Sequence, residues 1–132
     1  MDVKKAAERY QQTNYATLST IEYVLLVLNE CLRYVRLSEL AIRAEDREEL
    51  YAHIAKTQQL LFELMTVTSP HSAEAKRLSI FYAYLNQCLV EVRLDKELET
   101  LKVVAQHLEE LIESWVFAKQ KGRIEKYTTE WI

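Results

Sequence analysis

The sequence predicts an all-α protein, an antiparallel up-down-up-down four-helix bundle preceded by an N-terminal capping segment. Three observations predict this fold class. The 132-residue chain contains one Gly and one Pro, whereas a many-turned β fold needs many more turn residues. Helix-favouring residues dominate a composition that is 49% hydrophobic. Apolar side chains recur every three or four residues in four segments, which is the period of one helix face.

The first predicted helix begins near Ser19, because Ser19 and Glu22 have the spacing of a capping box. Residues 23–28 are apolar around the whole helix circumference, so only about half of them are expected to face the bundle interior. The charged stretch 43–47 predicts the first turn. The main apolar stripe consists of Ile21, Leu25, Leu28, Leu32, Val35 and Ile42, interrupted only by Glu39.

The second and third predicted helices each carry one regular apolar stripe. The second stripe consists of Leu50, Ile54, Thr57, Leu61 and Leu64. A break is predicted within residues 66–73, because Pro70 disfavours a helical conformation at Ser69. The third stripe consists of Ala75, Leu78, Tyr82, Leu85, Leu89 and Val92.

The fourth predicted helix follows a brief turn at residues 93–96 and ends in the polar stretch 119–123, which contains the only Gly. Its stripe consists of Leu94, Leu98, Leu101, Ala105, Leu108, Ile112 and Trp115. Short connections force neighbouring helices to run antiparallel. The predicted organisation is a cap segment over residues 1–18, a bundle over residues 19–120 and a C-terminal tail over residues 121–132.

Charge and hydropathy exclude several classes of partner. The formal net charge is −3, and no large basic face of the kind that binds nucleic acid is present. The longest strongly apolar run, residues 23–28, is far shorter than the ~20 residues that span a bilayer, so no membrane insertion is expected. Residues 1–9 are polar and charged, unlike a secretory signal. Cys31 and Cys88 are expected to be buried free thiols rather than a disulfide, which is typical of a cytoplasmic protein.

No catalytic, cofactor or metal site is predicted, and the chain is not expected to be an enzyme. Phosphate-binding loops need several glycines, and no Cys-x-x-Cys supports structural zinc. The histidines His53, His71 and His107 form none of the Glu-x-x-His motifs that hold two metals in helical bundles. His53 and His107 also lie off the main stripes, so we expect solvated histidines. The paired glutamates 48–49 and 109–110 are typical of a solvated helix face.

The chain carries more apolar side chains than four stripes require. The additional ones are Tyr34, Leu37 and Leu40, then Tyr51, Ala55, Phe62 and Met65, then Ile80, Phe81, Tyr84 and Cys88, and finally Val103, Val104, Leu111, Val116 and Phe117. Small soluble monomers seldom leave so much contiguous apolar area in water. The expected covers are the first 18 residues, a second copy of the chain, or a partner helix in a groove. The alternative is a set of wide helix faces in a tight core with a docked N-terminal segment.

Three stretches resemble the FliS family of flagellar export chaperones. Residues 10–22 are similar to the family's opening, in which a Tyr and a polar spacer precede Thr-x-Ser-Pro and the acidic start of helix one. Residues 78–85 are similar to its Leu-x-x-Leu-Tyr-x-Tyr on helix three. Residues 108–115 are similar to its Leu-x-x-Leu-Arg-x-x-Trp. The stretches lie in the family's order and spacing from about Tyr10 to Ala118.

The resemblance implies a cytoplasmic chaperone that binds the disordered C-terminal segment of flagellin and prevents its premature polymerisation. It also implies delivery of that client to the flagellar type III export gate, without catalysis. The client would wrap around the bundle, and burial of its apolar side chains would offset the cost of ordering it. The chaperone's own N-terminal segment can occupy part of the site beforehand.

The resemblance implies eight candidate partner-binding residues. They are Tyr10, Tyr15 and Leu18 in the cap segment, Tyr82, Tyr84 and Leu85 on helix three, and Leu111 and Trp115 on helix four. For Leu85 and Trp115 the bundle core is the preferred interpretation. Tyr10 precedes the helices and joins no stripe, so it is the stronger candidate for a partner contact.

Two other classes of function stay open at the level of the sequence. One is a self-associating helical scaffold or an adaptor for a different helical client, and the other is a metal-binding bundle enzyme. We expect a monomer or a weak homodimer.

Overall fold

The computed structural model describes the backbone of residues 3–5, 18–68 and 72–130, and the side chains of residues 3–5, 20–68 and 72–122. The described residues contain a short helical stretch at residues 3–5, no strand, and four long helices. These are α1 (Leu18–Arg43), α2 (Arg47–Val67), α3 (Ala73–Asp95) and α4 (Leu98–Glu130). The predicted all-α class is confirmed.

The four helices pack as a closed ring around one core. Helix α1 packs against α2 and α4, and α3 completes the ring by packing against α2 and α4, whereas the diagonal helix pairs do not approach each other closely. Because the connections are short, sequential helices run antiparallel. The two contacts of α1 are the most extensive and the α3–α4 contact is the least extensive. The predicted four-helix bundle is therefore confirmed, with one loosely packed side.

Side-chain caps start α2 and α3 where the sequence places its turns. The Asp46 carboxylate accepts from the Glu49 amide at 3.1 Å, and the Ser72 hydroxyl accepts from the Ala75 amide at 3.0 Å. Each cap satisfies a backbone donor that the first helical turn leaves without a partner. The predicted turns around residues 43–47 and 66–73 are thus confirmed.

The predicted cap at Ser19 and the predicted end of the third helix are wrong. Helix α1 already includes Leu18, so Ser19 lies inside it rather than capping it. Helix α3 continues to Asp95. It ends there because Lys96 takes the left-handed conformation (φ 58°) and donates its N–H to the Val92 carbonyl. Leu94 therefore belongs to α3, where it is 78% exposed, and not to the fourth stripe.

The fourth helix is longer than predicted. It continues through Gly122 to Glu130 instead of ending within residues 119–123. A single glycine inside a helix costs only about 1 kcal/mol relative to alanine, and the surrounding Lys and Gln residues favour helix. The polar composition of this stretch therefore does not end the helix.

The predicted stripes form the core. Every stripe residue of α2 and α3 is buried, and the large side chains that are almost fully enclosed include Trp115, Tyr82 and Leu28. In α1 and α4, Leu32, Ile42, Leu98 and Ile112 are partly exposed, while the other stripe residues, Leu94 apart, are buried. Both cysteines are buried and free, as predicted.

The bundle leaves apolar side chains on its surface, as the sequence predicts. In residues 23–28, more than half of the side chains are buried, because α1 packs against two neighbours, and only Tyr23 and Leu26 are exposed. The exposed large apolar side chains are Tyr23, Leu26, Leu40, Phe62, Val67, Ile80, Tyr84, Leu94, Val103, Val116 and Phe117. None of the described helices is long and apolar enough to cross a membrane.

Candidate partner-binding groove

The loosely packed side of the bundle carries exposed apolar side chains from both of its helices. Tyr84 on α3 is 46% exposed and Val103 on α4 is 43% exposed. Ile80 lies one turn before Tyr84, and His107 lies one turn after Val103, so each pair shares a helix face. We define the α3–α4 groove by these four residues together with the two buried residues beside them, Phe81 and Leu111.

An aromatic cluster forms the middle of the groove. The Phe81 ring meets the edge of the His107 ring with centroids 5.0 Å apart, and the Tyr84 ring lies 6.2 Å from His107. Phe81 and Tyr84 are themselves 5.8 Å apart. Such edge-to-face and tilted contacts are the favoured aromatic geometries. The cluster presents a preformed, mostly apolar surface with one imidazole in it.

Tyr84 and Cys88 form a small polar pair beside the cluster. A hydrogen bond with Cys88 raises the pKa of the Tyr84 hydroxyl, and burial raises the pKa of the Cys88 thiol. The thiol is therefore protonated at neutral pH and is not activated as a nucleophile. This pair shapes the groove and gives it no catalytic chemistry.

Residues 3–5 lie on part of the groove. Val3 packs against the core cluster, and Val3 and Lys4 enclose a small cavity with Phe81, His107, Glu110 and Leu111. The cavity measures about 10 Å³, which is room for a single water at most. The N-terminal stretch is therefore in close contact with the α3–α4 groove.

The structure separates the eight predicted site residues into three groups. Tyr10 and Tyr15 lie outside the described residues, as does the side chain of Leu18, whose backbone begins α1. Of the rest, Tyr84 is exposed in the groove. The remaining residues are buried, namely Tyr82, Leu85, Leu111 and Trp115. Leu85 and Trp115 thus occupy the core, which was their preferred interpretation, and Leu111 lines the cavity beneath Val3.

Four groove residues were not predicted as site residues. Ile80, Phe81 and Val103 were expected only as surplus apolar side chains. His107 was expected to be solvated, but it is half-buried against aromatic rings. Its position four residues before Leu111, on the same helix face, was the signal that could have identified it.

Metal binding finds no support among the described residues, which contain no cluster of three or more His, Cys, Asp or Glu side chains able to hold a metal ion. His53 is half-buried, pairs with Glu49 at 2.9 Å and lies against the Tyr34 ring, while His71 lies outside the described residues. The predicted solvated glutamates at 48–49 and 109–110 are all exposed.

A larger cavity of about 440 Å³ lies where the α1–α2 turn meets Lys96, next to Ala41, Ile42 and Leu50. Its charged lining mixes both signs, with Glu45 and Asp46 beside Arg47 and Lys96. This mixture selects no partner by charge. The α3–α4 groove, with its apolar row and a chain segment already seated on it, is the better candidate site.

Two comparisons with known proteins find a match to this chain. The sequence profile of the family described as "Flagellar protein FliS" matches residues 3–122. The flagellar secretion chaperone FliS of Bacillus subtilis (strain 168) is 24% identical over 127 residues, which cover 96% of each chain. The match includes residues 3–5, helices α1 to α3, α4 as far as Gly122, and the α3–α4 groove. The chain therefore belongs to the FliS family of flagellar proteins.

Proposed function

We propose that the chain is a cytoplasmic flagellar export chaperone. In this role it binds the C-terminal segment of flagellin in the α3–α4 groove, prevents premature polymerisation and delivers the client to the type III export apparatus. Membership of the FliS family supports the role of export chaperone. The observation that carries the choice of groove is the exposed apolar row of Ile80, Tyr84 and Val103 on the least extensively packed side of the bundle.

The physical basis of binding is coupled folding. A segment that is disordered alone must lose conformational entropy, and burial of its apolar side chains against Tyr84 and Val103 offsets that cost. Complexes of this type bury on the order of 1,000–3,000 Å². Occupation of the client's apolar residues keeps them from other copies of the client, so exclusion alone accounts for the chaperone activity.

The predicted site residues take distinct roles in this proposal. Tyr84 contacts the client directly because it is exposed. Leu111 supports the groove from beneath, and so do the other buried candidates on α3 and α4. Tyr10 and Tyr15 belong to the predicted cap segment, which exchanges with the client, and Leu18 joins that segment to α1.

The direct test is titration of the full chain with the C-terminal segment of flagellin. We expect micromolar or tighter affinity by calorimetry and a gain of helix by circular dichroism. Tyr84→Ala should weaken the affinity about tenfold, as removal of an exposed aromatic anchor does. The matched control is Leu26→Ala on the outer face of α1, which should leave the affinity unchanged.

Absence of binding up to about 1 mM would contradict the proposal. Equal loss of affinity in Tyr84→Ala and Leu26→Ala would place the client elsewhere on the bundle. Sedimentation of the free chain completes the test, because a stable dimer that buries Tyr84 would favour a self-associating scaffold instead.

A further inference from the structure

We propose that the α3–α4 groove selects partner segments in which an apolar side chain is followed directly by a cationic one. Val3 and Lys4 of the chain itself have this chemistry and occupy the groove. The inference rests on the proposed function, since it specifies which part of a client segment the groove recognises.

The apolar half of the preference follows from the contact of Val3. This side chain packs against the core cluster and faces Phe81 and Leu111 across the small cavity. Both partners are buried in this arrangement. Because Val3 is partly buried, a polar or charged side chain in its position would lose part of its hydration against an apolar surface, so the position favours an apolar group.

The cationic half follows from Glu110, which lines the same cavity as Lys4. Two other glutamates of α4 form ion pairs, Glu99 with Lys102 and Glu109 with Arg36. Within the described part of the chain, the polar contacts of the Glu110 carboxylate are the Gln106 amide nitrogen at 3.4 Å and the His107 Nδ1 at 3.9 Å. Its carboxylate therefore lies beside the apolar surface without a lysine or arginine partner.

Lys4 lies close to Glu110 without forming an ion pair with it in the described structure. A client segment with a longer or better-placed cation can therefore form a contact that the chain's own residues 3–5 leave unmade. A segment with an acidic residue at this position would instead meet the Glu110 carboxylate. The charge of the groove thus discriminates between client segments of similar apolar character.

The test compares two charge reversals on the full chain. Glu110→Lys changes the charge at the exposed edge of the cavity. Glu97→Lys makes the same change at an exposed site in the connection between α3 and α4, about 20 Å away at the helical rise per residue, beyond the screening length of about 8 Å at physiological salt. Both are made in a Val3→Asp background, since an aspartate packed against the apolar core cluster loosens the chain's own residues 3–5. The His107 ring resonances in NMR report occupation of the groove.

Three probes are titrated. They are the flagellin C-terminal segment, a synthetic peptide of residues 1–9, and that peptide with Lys4→Glu and Lys5→Glu. We expect Glu110→Lys to lower the affinity for the unmodified peptide and for the flagellin segment about fivefold. The same substitution should raise the affinity for the acidic peptide by a similar factor. Glu97→Lys should change each affinity less than about twofold.

The outcomes separate this inference from the proposed function. If the flagellin segment binds, but each of the three probes has the same affinity for the Glu110→Lys variant as for the Glu97→Lys variant, the charge preference is overturned and the proposed client stands. If the acidic peptide and the unmodified peptide have the same affinity for the Val3→Asp chain that retains Glu110, the preference is likewise overturned. If the peptides follow the expected pattern and the flagellin segment does not bind, the preference is supported and the proposed client is wrong.

Discussion

The surroundings of α1 and the α3–α4 groove are the two contrasting regions of this bundle. Helix α1 packs extensively against α2 and α4, and polar side chains join it to both: the Tyr23 hydroxyl donates to Glu63 at 3.2 Å, and Arg36 pairs with Glu109. Across the α3–α4 contact the described residues form ring contacts around His107 and no ion pair. The difference teaches that the helix contacts are most extensive around α1, while the α3–α4 side has the least extensive contact and exposes apolar side chains of both its helices.

The energetic contrast has the same direction. Complete burial of a large apolar side chain contributes about 1.5–3 kcal/mol, and Leu28 and Val35 of α1 are fully buried. Ile80, Tyr84 and Val103 in the groove are 58%, 46% and 43% exposed, so they withhold about half of that contribution from folding. A partner that covers them can therefore gain several kcal/mol of binding free energy, less the cost of its own ordering.

The largest expected effect tests whether the core is continuous beneath both regions. Trp115→Ala removes a side chain that is 1% exposed, so it should lower the free energy of unfolding by about 3–5 kcal/mol. Urea denaturation followed by circular dichroism measures the change. This loss is a large part of the ~5–15 kcal/mol that stabilises a typical domain.

The matched control for this variant is Phe117→Ala, two residues further along α4. Phe117 is 61% exposed, so its removal should cost less than about 1 kcal/mol. Similar losses in the two variants would mean that the outer face of α4 contributes to folding as much as the core does. Burial of apolar side chains, on which the contrast between the surroundings of α1 and the α3–α4 groove depends, would then not determine the stability of the bundle.

The second effect compares one thiol from each region. Burial raises the pKa of Cys31 on α1 to about 12, and burial also raises the pKa of Cys88 on α3. Both thiols must become exposed before they react. Because α3 is the less extensively packed helix, we expect iodoacetamide at pH 8 to alkylate Cys88 about tenfold faster than Cys31.

Mass spectrometry of the digested chain over a time course measures the two rates. In urea, where both thiols are exposed, the rates should be alike, which controls for intrinsic reactivity. Faster alkylation of Cys31 than of Cys88 in the native chain would reverse the assignment of the packed and open regions.

The smallest effect tests how much an exposed ion pair on α1 contributes to the stability of the bundle. A hydrogen bond from Arg33 lowers the pKa of Glu30 below its ordinary value of 4.5. A group whose pKa is lowered by folding contributes stability above its unfolded pKa, and that contribution is lost as the pH falls through the folded value. We therefore expect Glu30→Gln to melt slightly below the parent chain at pH 7 and together with it below about pH 3.

Melting curves between pH 7 and pH 3 at low and physiological salt measure this difference. Because both side chains are exposed, added salt should diminish it. A large, salt-independent difference at pH 7 would mean that charge pairs, rather than apolar burial, hold α1 in the bundle.

Much of the fold could be predicted because its signals are local. The stripes of α2 and α3 were identified completely, since the helical period places their members on one face without reference to the rest of the chain. The break near Pro70 was likewise local. The ends of α3 and α4 were missed, because Lys96 adopts a conformation that glycine usually supplies and Gly122 is tolerated within a helix.

The candidate site was predicted only in part. Tyr84 and Leu111 were identified from family resemblance, and the structure brings both to the groove. Phe81, His107 and Val3 come from three separate elements, and periodicity within one element cannot tell which residues of another will meet it. Their cluster is a product of packing.

The sequence by itself determined the helices, their inward faces and a surplus of apolar side chains, because these follow from composition and period along the chain. Only the tertiary structure decided which of these additional apolar side chains are exposed and where on the bundle they lie. The ring closes most extensively around α1 and least between α3 and α4, and that inequality depends on how all four helices fill one shared core. Long-range packing, which no single segment encodes, therefore placed the groove and seated Val3 and Lys4 on it.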